Sequence, residues 1–200
     1  MKDTFLTIAA DSEGVYKDKG SKFLAFAYPV DNEEVIKEKI AALRKKYFDA
    51  RHHCYAWRLG TEGMLYRAND DGEPSNSAGK PILGQIDSYG LTNVLVVVVR
   101  YFGGILLGVG GLIQAYKHAA ADALTNARTV PGIVTEVYRF TFEYPDMNQI
   151  IKVTKDMGLE CFSQDFNMAC SMKVRVRKSQ TEQMMQRLEL IGSLKITPEN

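Results

Sequence analysis

The apolar positions of the chain change period along its length, and one stretch organises the rest. Val94-Leu95-Val96-Val97-Val98-Val99 runs without alternation, which predicts a strand buried on both faces. The run passes through Arg100-Tyr101-Phe102 into Gly103-Gly104, where a backbone without Cβ atoms can turn sharply or approach a ligand. Gly108, Gly110 and Gly111 follow, and then Leu112, Ile113, Ala115, Tyr116, Ala119, Ala120, Ala123 and Leu124 recur at helical spacing. Strand, glycine loop and helix make one unit.

Upstream, Thr4 to Ala9 alternates weakly as a first strand, Glu13 to Lys19 reads as a loop or ragged hairpin, and Ser21 to Tyr28 as a strand closed by Pro29. Asp31 with Glu34 forms a capping box for an amphipathic helix over 32–46, whose apolar side is Ile36, Ile40 and Leu43. Its other side, with Lys37, Lys39, Arg44, Lys45 and Lys46, reads as solvated surface. Arg51 to Leu59 is a strand in which alternation puts His53, Tyr55, Trp57 and Leu59 on one face and Cys54, Ala56 and Arg58 on the other. A short strand near Met64 to Ala68 leads into a polar turn, and Ser77 caps a helix carrying Pro81, Ile82, Leu83 and Ile86.

Thr129-Val130-Pro131-Gly132 is the one linker. Beyond it the pattern is strand (134–144), helix (146–157, stopped by Gly158), strand (160–165), strand (167–177), a helix opened by a Ser179–Glu182 capping box, and strand (194–197). That βαββαβ order is the ferredoxin-like split arrangement. The expected fold class is α+β with two domains, residues 1–130 and 131–200.

Composition narrows the function. The 200 residues are 46% hydrophobic with a formal net charge of +1, so no global field draws the chain to nucleic acid or membrane. The longest apolar run falls short of the roughly 20 residues that span a bilayer, and Met1-Lys2-Asp3-Thr4 opens no signal peptide. Cys54, Cys161 and Cys170 are odd in number and lack C-x-x-C spacing, which points to a reduced, cytoplasmic setting and to no metal centre.

The chemistry-bearing residues gather in three places. The glycines fit neither a P-loop, which needs Lys and Ser or Thr after the last glycine, nor a G-x-G-x-x-G dinucleotide loop. They leave backbone N–H groups at a helix start, suited to an anion, or else they only let helix and strand pack closely. Arg100, at the end of a buried strand, needs a carboxylate, a ligand anion or solvent. Asp70, Asp71 and Glu73 repel one another unless hydrogen bonds or a cation compensate, and Ala78-Gly79-Lys80 opens a second helix start beside them; the EF-hand pattern is absent. His52 and His53 point to opposite faces and cannot share a metal from a regular strand, which leaves one metal-ligating histidine with distant carboxylates or a histidine that caps a loop or meets a carboxylate. Cys54 reads as a buried inert thiol. In the second domain Met168, Cys170, Met172, Val174 and Val176 line one face of a strand. Lys173, Arg175 and Arg177, with Lys178 adjacent, line the other, either tracking a phosphate backbone or balanced by neighbouring acids. No aromatic-rich RNP motif accompanies them.

Arg51-His52-His53-Cys54, Asp70-Asp71-Gly72-Glu73-Pro74 with Ala78-Gly79-Lys80-Pro81, and Arg100-Tyr101-Phe102-Gly103-Gly104 through Gly108, Gly110 and Gly111 resemble the motifs of the IMPACT family, most closely its bacterial YigZ branch. Ser21-Lys22-Phe23 is similar to the family's N-terminal element, and the resemblance covers residues 1 to 128. It implies a two-layer α/β first domain similar to the second domain of a small-subunit ribosomal protein, and a second domain resembling one in elongation factor G. Eukaryotic members regulate translation by interfering with activation of a kinase that senses uncharged tRNA, through a partner protein that bacteria lack.

The expected function is a translation-associated regulator binding RNA, the ribosome or a translation factor, with an anion-binding glycine-rich site and no membrane partner. The ligand site so expected comprises Arg51, His52, His53, Asp70, Asp71, Glu73, Lys80, Arg100, Tyr101, Gly103, Gly104, Gly108, Gly110 and Gly111, for a small anionic ligand. The nucleic-acid site comprises Lys173, Arg175, Arg177 and Lys178. The alternative is a small-molecule enzyme, for phosphoryl transfer or hydrolysis, built on the acidic turn and glycine loop; no nucleophile–base pair is visible for it, no catalytic residue is assigned, and the cofactor is left open. A third reading makes Arg51, His53, Asp71, Glu73 and Arg100 a buried polar network that only fixes the loops.

Overall fold

The computed structural model describes residues 3–166 and 170–199. The chain divides into two compact units, one built from Phe5–Gly132 and one from Ile133 onward together with Asp3 and Thr4.

The first unit holds, in order, β1 (Thr4–Ile8), β2 (Ser12–Asp18), β3 (Ser21–Pro29), α1 (Glu33–Lys46), β4 (His52–Leu59), β5 (Leu65–Asn69), α2 (Gly79–Ser88), β6 (Val94–Tyr101), α3 (Gly108–Asn126) and β7 (Thr129–Ile133). Five strands form an antiparallel sheet in the order β2-β3-β6-β4-β5, while β1 pairs with β7 apart from it. The segment 13–19 falls in β2, the first arm of a hairpin with β3.

The aliphatic run is the central strand, and Val94 through Val99 are fully buried. Its even positions join Phe23, Ala25, Ala27, Cys54 and Ala56 against the apolar faces of α2 and α3. Its odd positions join Phe26, Trp57 and Leu59 against Ile36 and Leu43 of α1. Helices therefore cover both faces, and the expected two-layer arrangement gives way to three layers. The cause is in β6 itself: a strand apolar on both sides, with about 1.5–3 kcal/mol at stake per large side chain buried, needs cover on both.

Local caps depart from the sequence expectations. Asn32, not Asp31, caps α1 by accepting from Val35 N at 2.9 Å. Ser77 does not cap α2 but bonds back to the Pro74 carbonyl at 2.6 Å. Gly103 is a close-approach glycine, since a Cβ there would lie 1.9 Å from the carbonyl carbon of Gly20.

The second unit holds β8 (Thr135–Phe142), α4 (Met147–Asp156), β9 (Glu160–Asp165), β10 (Cys170–Arg177), α5 (Thr181–Leu188) and β11 (Lys195–Glu199). Its antiparallel sheet runs β11-β8-β10-β9, so β10 lies between the two strands joined by α4. Phe140, Cys170, Met172, Val174 and Val176 face Ile150, Met184 and Leu188 in one core. Met168 and the start expected for this strand at residue 167 lie outside the described residues. Gly158 ends α4 at φ +63, with the Leu159 N–H reaching Thr154 O at 2.9 Å. The expected capping box of α5 does not form: Ser179 Oγ donates instead to Asp3, and the helix starts at Thr181. Among the described residues no helix is long and apolar enough to cross a membrane.

Candidate functional site

Register brings the first set of functional side chains abreast. On the sheet face covered by α3, Arg100 of β6 lies opposite Phe23 of β3 and His52 of β4. Arg100 is only 6% exposed, and its guanidinium lies 5.5 Å from the Phe23 ring centre and 5.8 Å from that of Phe102. A buried arginine needs a counter-charge, and Glu73 supplies it, Nη1 donating to Oε1 at 2.7 Å. Tyr116 of α3, fully buried, donates to the same oxygen at 2.7 Å. Arg100 Nε is left buried with no hydrogen-bond partner.

The three acids of the turn do not share a cation; each is satisfied separately. Asp70 accepts from the backbone N–H groups of Asn76 at 2.8 Å, Ala78 at 3.0 Å and Gly79 at 2.8 Å, and so closes the amino terminus of α2. Asp71, held at φ +42, accepts from His53 N at 2.7 Å and pairs with Arg44 at 2.5 Å. Glu73 takes Arg100 and Tyr116. The anion site expected at Ala78-Gly79-Lys80 is thus filled by the protein's own carboxylate, and Lys80 is exposed away from the residues that line the recess described next.

That recess, of about 450 Å³, is lined by Arg51, His52, Glu73, Pro74, Arg100, Phe102, Leu106, Leu107, Gly108, Val109 and Leu112. It lies at the amino terminus of α3, where Leu107 is the N-cap residue, no side chain caps the helix, and no acid occupies the first turn. Gly108 holds φ +70, a conformation that favours glycine, and a Cβ on it would meet nothing within 4 Å. First-turn N–H groups and the positive end of the helix dipole are thereby available to an anion.

Of the residues expected to bind a ligand, Arg51, His52, Glu73, Arg100 and Gly108 line the recess; Asp70, Asp71, Lys80, Tyr101, Gly103, Gly104, Gly110 and Gly111 stand outside its lining. His53 is also outside, buried among the residues on the α1 side of the sheet, and burial, reinforced by Arg44, pushes its imidazole pKa down. Tyr101 donates to Asp49 at 2.8 Å, and that hydrogen bond pushes its phenol up to about 12. His52 Nδ1 faces the Asp71 carbonyl at 2.8 Å. A carbonyl only accepts, so the neutral ring carries its proton on Nδ1 and leaves Nε2 as the acceptor, 4.0 Å from Glu73 Oε1.

Cys54 donates to the Asp70 carbonyl at 3.0 Å and lies 3.3 Å from Tyr116 Oη. Burial pushes both its thiol and the Tyr116 phenol far above their ordinary values, so neither is a nucleophile near neutral pH. Sequence reasoning missed Tyr116, Arg44 and the apolar wall of Phe102, Leu106, Leu107, Val109 and Leu112. Tyr116 carried a usable signal: a phenol on an alanine-rich core face must bring its hydroxyl to a partner.

In the second unit the basic row of β10 is partly spent. Lys173 pairs with Glu199, which also takes Arg139, and Arg175 pairs with Glu160 at 2.7 Å. Those contacts, the Lys173 hydrogen bond first, hold the Glu199 carboxyl below its usual range. Arg177 and Lys178 enter no ion pair among the described residues.

Residues 19–124 match the model of the Impact N-terminal domain. The IMPACT family member YigZ of Escherichia coli (strain K12) is 37% identical over 150 residues, 74% of each chain. Protein IMPACT of Mus musculus is 40% identical over 96 residues, 46% of this chain and 30% of that protein. A crystal structure of a hypothetical protein superposes with a TM-score of 0.77 at 30% identity, covering 100% of this chain and 99% of that one.

Proposed function

The chain belongs to the IMPACT family, and we propose that it is a translation-associated regulator, cytoplasmic, that works by binding and carries an anion-binding effector site in the recess at the start of α3. The observation that carries the site is Arg100, buried, with its Nε unpartnered, in the wall of an open recess at an uncapped helix terminus. The translation setting rests on the family resemblance of the motifs. Binding is favoured over catalysis because burial keeps the Cys54 thiol and the Tyr116 phenol protonated near neutral pH. The same reading takes the first unit as kin to the second domain of a small-subunit ribosomal protein and the second as a ferredoxin-like domain, which the order β11-β8-β10-β9 supports.

We take the partner to be a translation factor or the ribosome rather than naked RNA. With Lys173 and Arg175 paired, only Arg177 and Lys178 of the expected nucleic-acid row remain to meet phosphates. The site is tested by titrating inorganic phosphate into the protein and following the backbone amide resonances of residues 108–111. Saturable shifts that weaken in Arg51→Ala are expected; no shift at any concentration that leaves the protein folded overturns the site.

A further inference from the structure

We infer that the recess is built for a small monocarboxylate with an apolar body, such as an aromatic or branched-chain acid. This inference rests on the reading that the recess takes an anion. Its wall combines two kinds of group. Arg51, Arg100 and the first-turn N–H groups of α3 supply positive charge and donors, and Phe102, Leu106 and Leu112 supply apolar surface, with the Phe102 ring centre 5.8 Å from the Arg100 guanidinium. Apolar side chains make up most of the lining, and 450 Å³ accommodates a small organic molecule whole.

Charge sets the valence of the occupant. Two arginines face one carboxylate, Glu73, which leaves one net positive charge and the partial charge of the helix end. One carboxylate neutralises that. A nucleotide polyphosphate would bring several negative charges, two or more of them without a counter-charge, next to the buried Glu73. Arg100 adds a donor in the wall of the recess: its Nη1 is committed to Glu73, while its buried Nε has no acceptor within the chain. Leu106, 82% exposed, and Val109, 52% exposed, stand at the recess as apolar surface that a ligand body would cover.

The test is a titration followed by the amide resonances of residues 108–111, with four probes: phenylacetate, its neutral analogue phenylacetamide, inorganic phosphate and ATP. Phenylacetate is expected to bind about tenfold more tightly than each of the other three: burial of a modest apolar area supplies that factor over phosphate, the carboxylate charge supplies it over phenylacetamide, and the unbalanced phosphate charges supply it over ATP. Leu106→Ser, a neutral change at an exposed position, is expected to weaken phenylacetate and leave phosphate unchanged. Phosphate or ATP binding as tightly as phenylacetate overturns the inference and leaves the anion site standing. Phenylacetamide binding equally well, or no probe binding, overturns both.

Discussion

Helices α2 and α3 pack on the same face of one sheet and begin with the same deficit: backbone N–H groups with no partner inside the helix. At α2 the deficit is made good within the chain. Asp70 accepts three N–H groups around residues 76–79, and a Cβ at Gly79 would lie 2.5 Å from Asn69 N, so that terminus is packed shut. At α3 no acid and no capping side chain is present, the Gly108 position is open, and a recess lies in front. One terminus is closed by the chain itself, and the other is open, as the proposed receptor requires. The same chemistry serves both, and what separates them is whether a carboxylate eight or nine residues away is folded back onto it.

The largest expected effect comes from removing the cation that balances Glu73. Arg100→Met leaves Glu73, 4% exposed in its side chain, with Tyr116 as its remaining close donor. Breaking such a buried pair costs about 3–5 kcal/mol, measured as a drop in the urea midpoint. Pairing the change with Glu73→Gln should recover a large part of the loss, while anion binding at α3 stays weaker than in the parent, because Arg51 remains but the Arg100 N–H donors are gone. A midpoint within experimental error of the parent for Arg100→Met alone would show that the pair is not buried in solution.

Next in size is Asp70→Ala, which strips three N–H partners from the α2 terminus and should cost about 2 kcal/mol. It also sharpens the comparison. With Asp70 gone, α2 becomes an uncapped terminus like α3, and phosphate should stabilise the variant more than the parent. Equal stabilisation of both would mean that an uncapped helix end in this fold is not enough to hold an anion.

Much of this architecture was legible in the chain. The uninterrupted aliphatic run of β6, the alternation of β4 and the period of α3 follow from side-chain spacing, and spacing is local. The cover on both faces was legible too: the all-aliphatic run of β6 required it, against the two layers implied by resemblance. What spacing does not carry is which partner a polar side chain selects across the fold. Asp70, Asp71 and Glu73 are neighbours in sequence yet go to a helix terminus, to His53 N with Arg44, and to Arg100 with Tyr116. The left-handed backbone at Asp71 and at Gly72, φ +86, sends them apart within a turn closed by local hydrogen bonds, and the partners they then meet come from distant parts of the chain. The same holds for Arg44, which reads as solvated surface until Asp71 is brought to it.

The two faces of β4 supply a milder test. His52 looks into the recess, whereas His53 is buried on the α1 side with Nε2 unpartnered. Burial and Arg44 hold the folded His53 pKa below its unfolded value of about 6.5. As pH falls through 6.5 the unfolded chain takes the proton first, so stability drops, by no more than about 1.4 kcal/mol per pH unit for one proton. Unfolding midpoints between pH 7.5 and pH 5.5 should fall with pH and flatten in His53→Phe; an unchanged slope in that variant would assign the effect to other groups.

The smallest effect is the one that separates architecture from receptor most cleanly. Gly110 sits exposed in the first turn of α3, and an added Cβ there would meet nothing within 4 Å. Packing gives no reason for glycine, and helix propensity argues against it. Gly110→Ala should therefore stabilise the protein by about 0.5–1 kcal/mol, read as a rise in the thermal midpoint. If the first-turn N–H groups receive a ligand, the same methyl crowds their approach, and anion affinity should fall as stability rises. A variant both more stable and equally competent would return α3 to the class of α2, a terminus whose glycines serve only the chain.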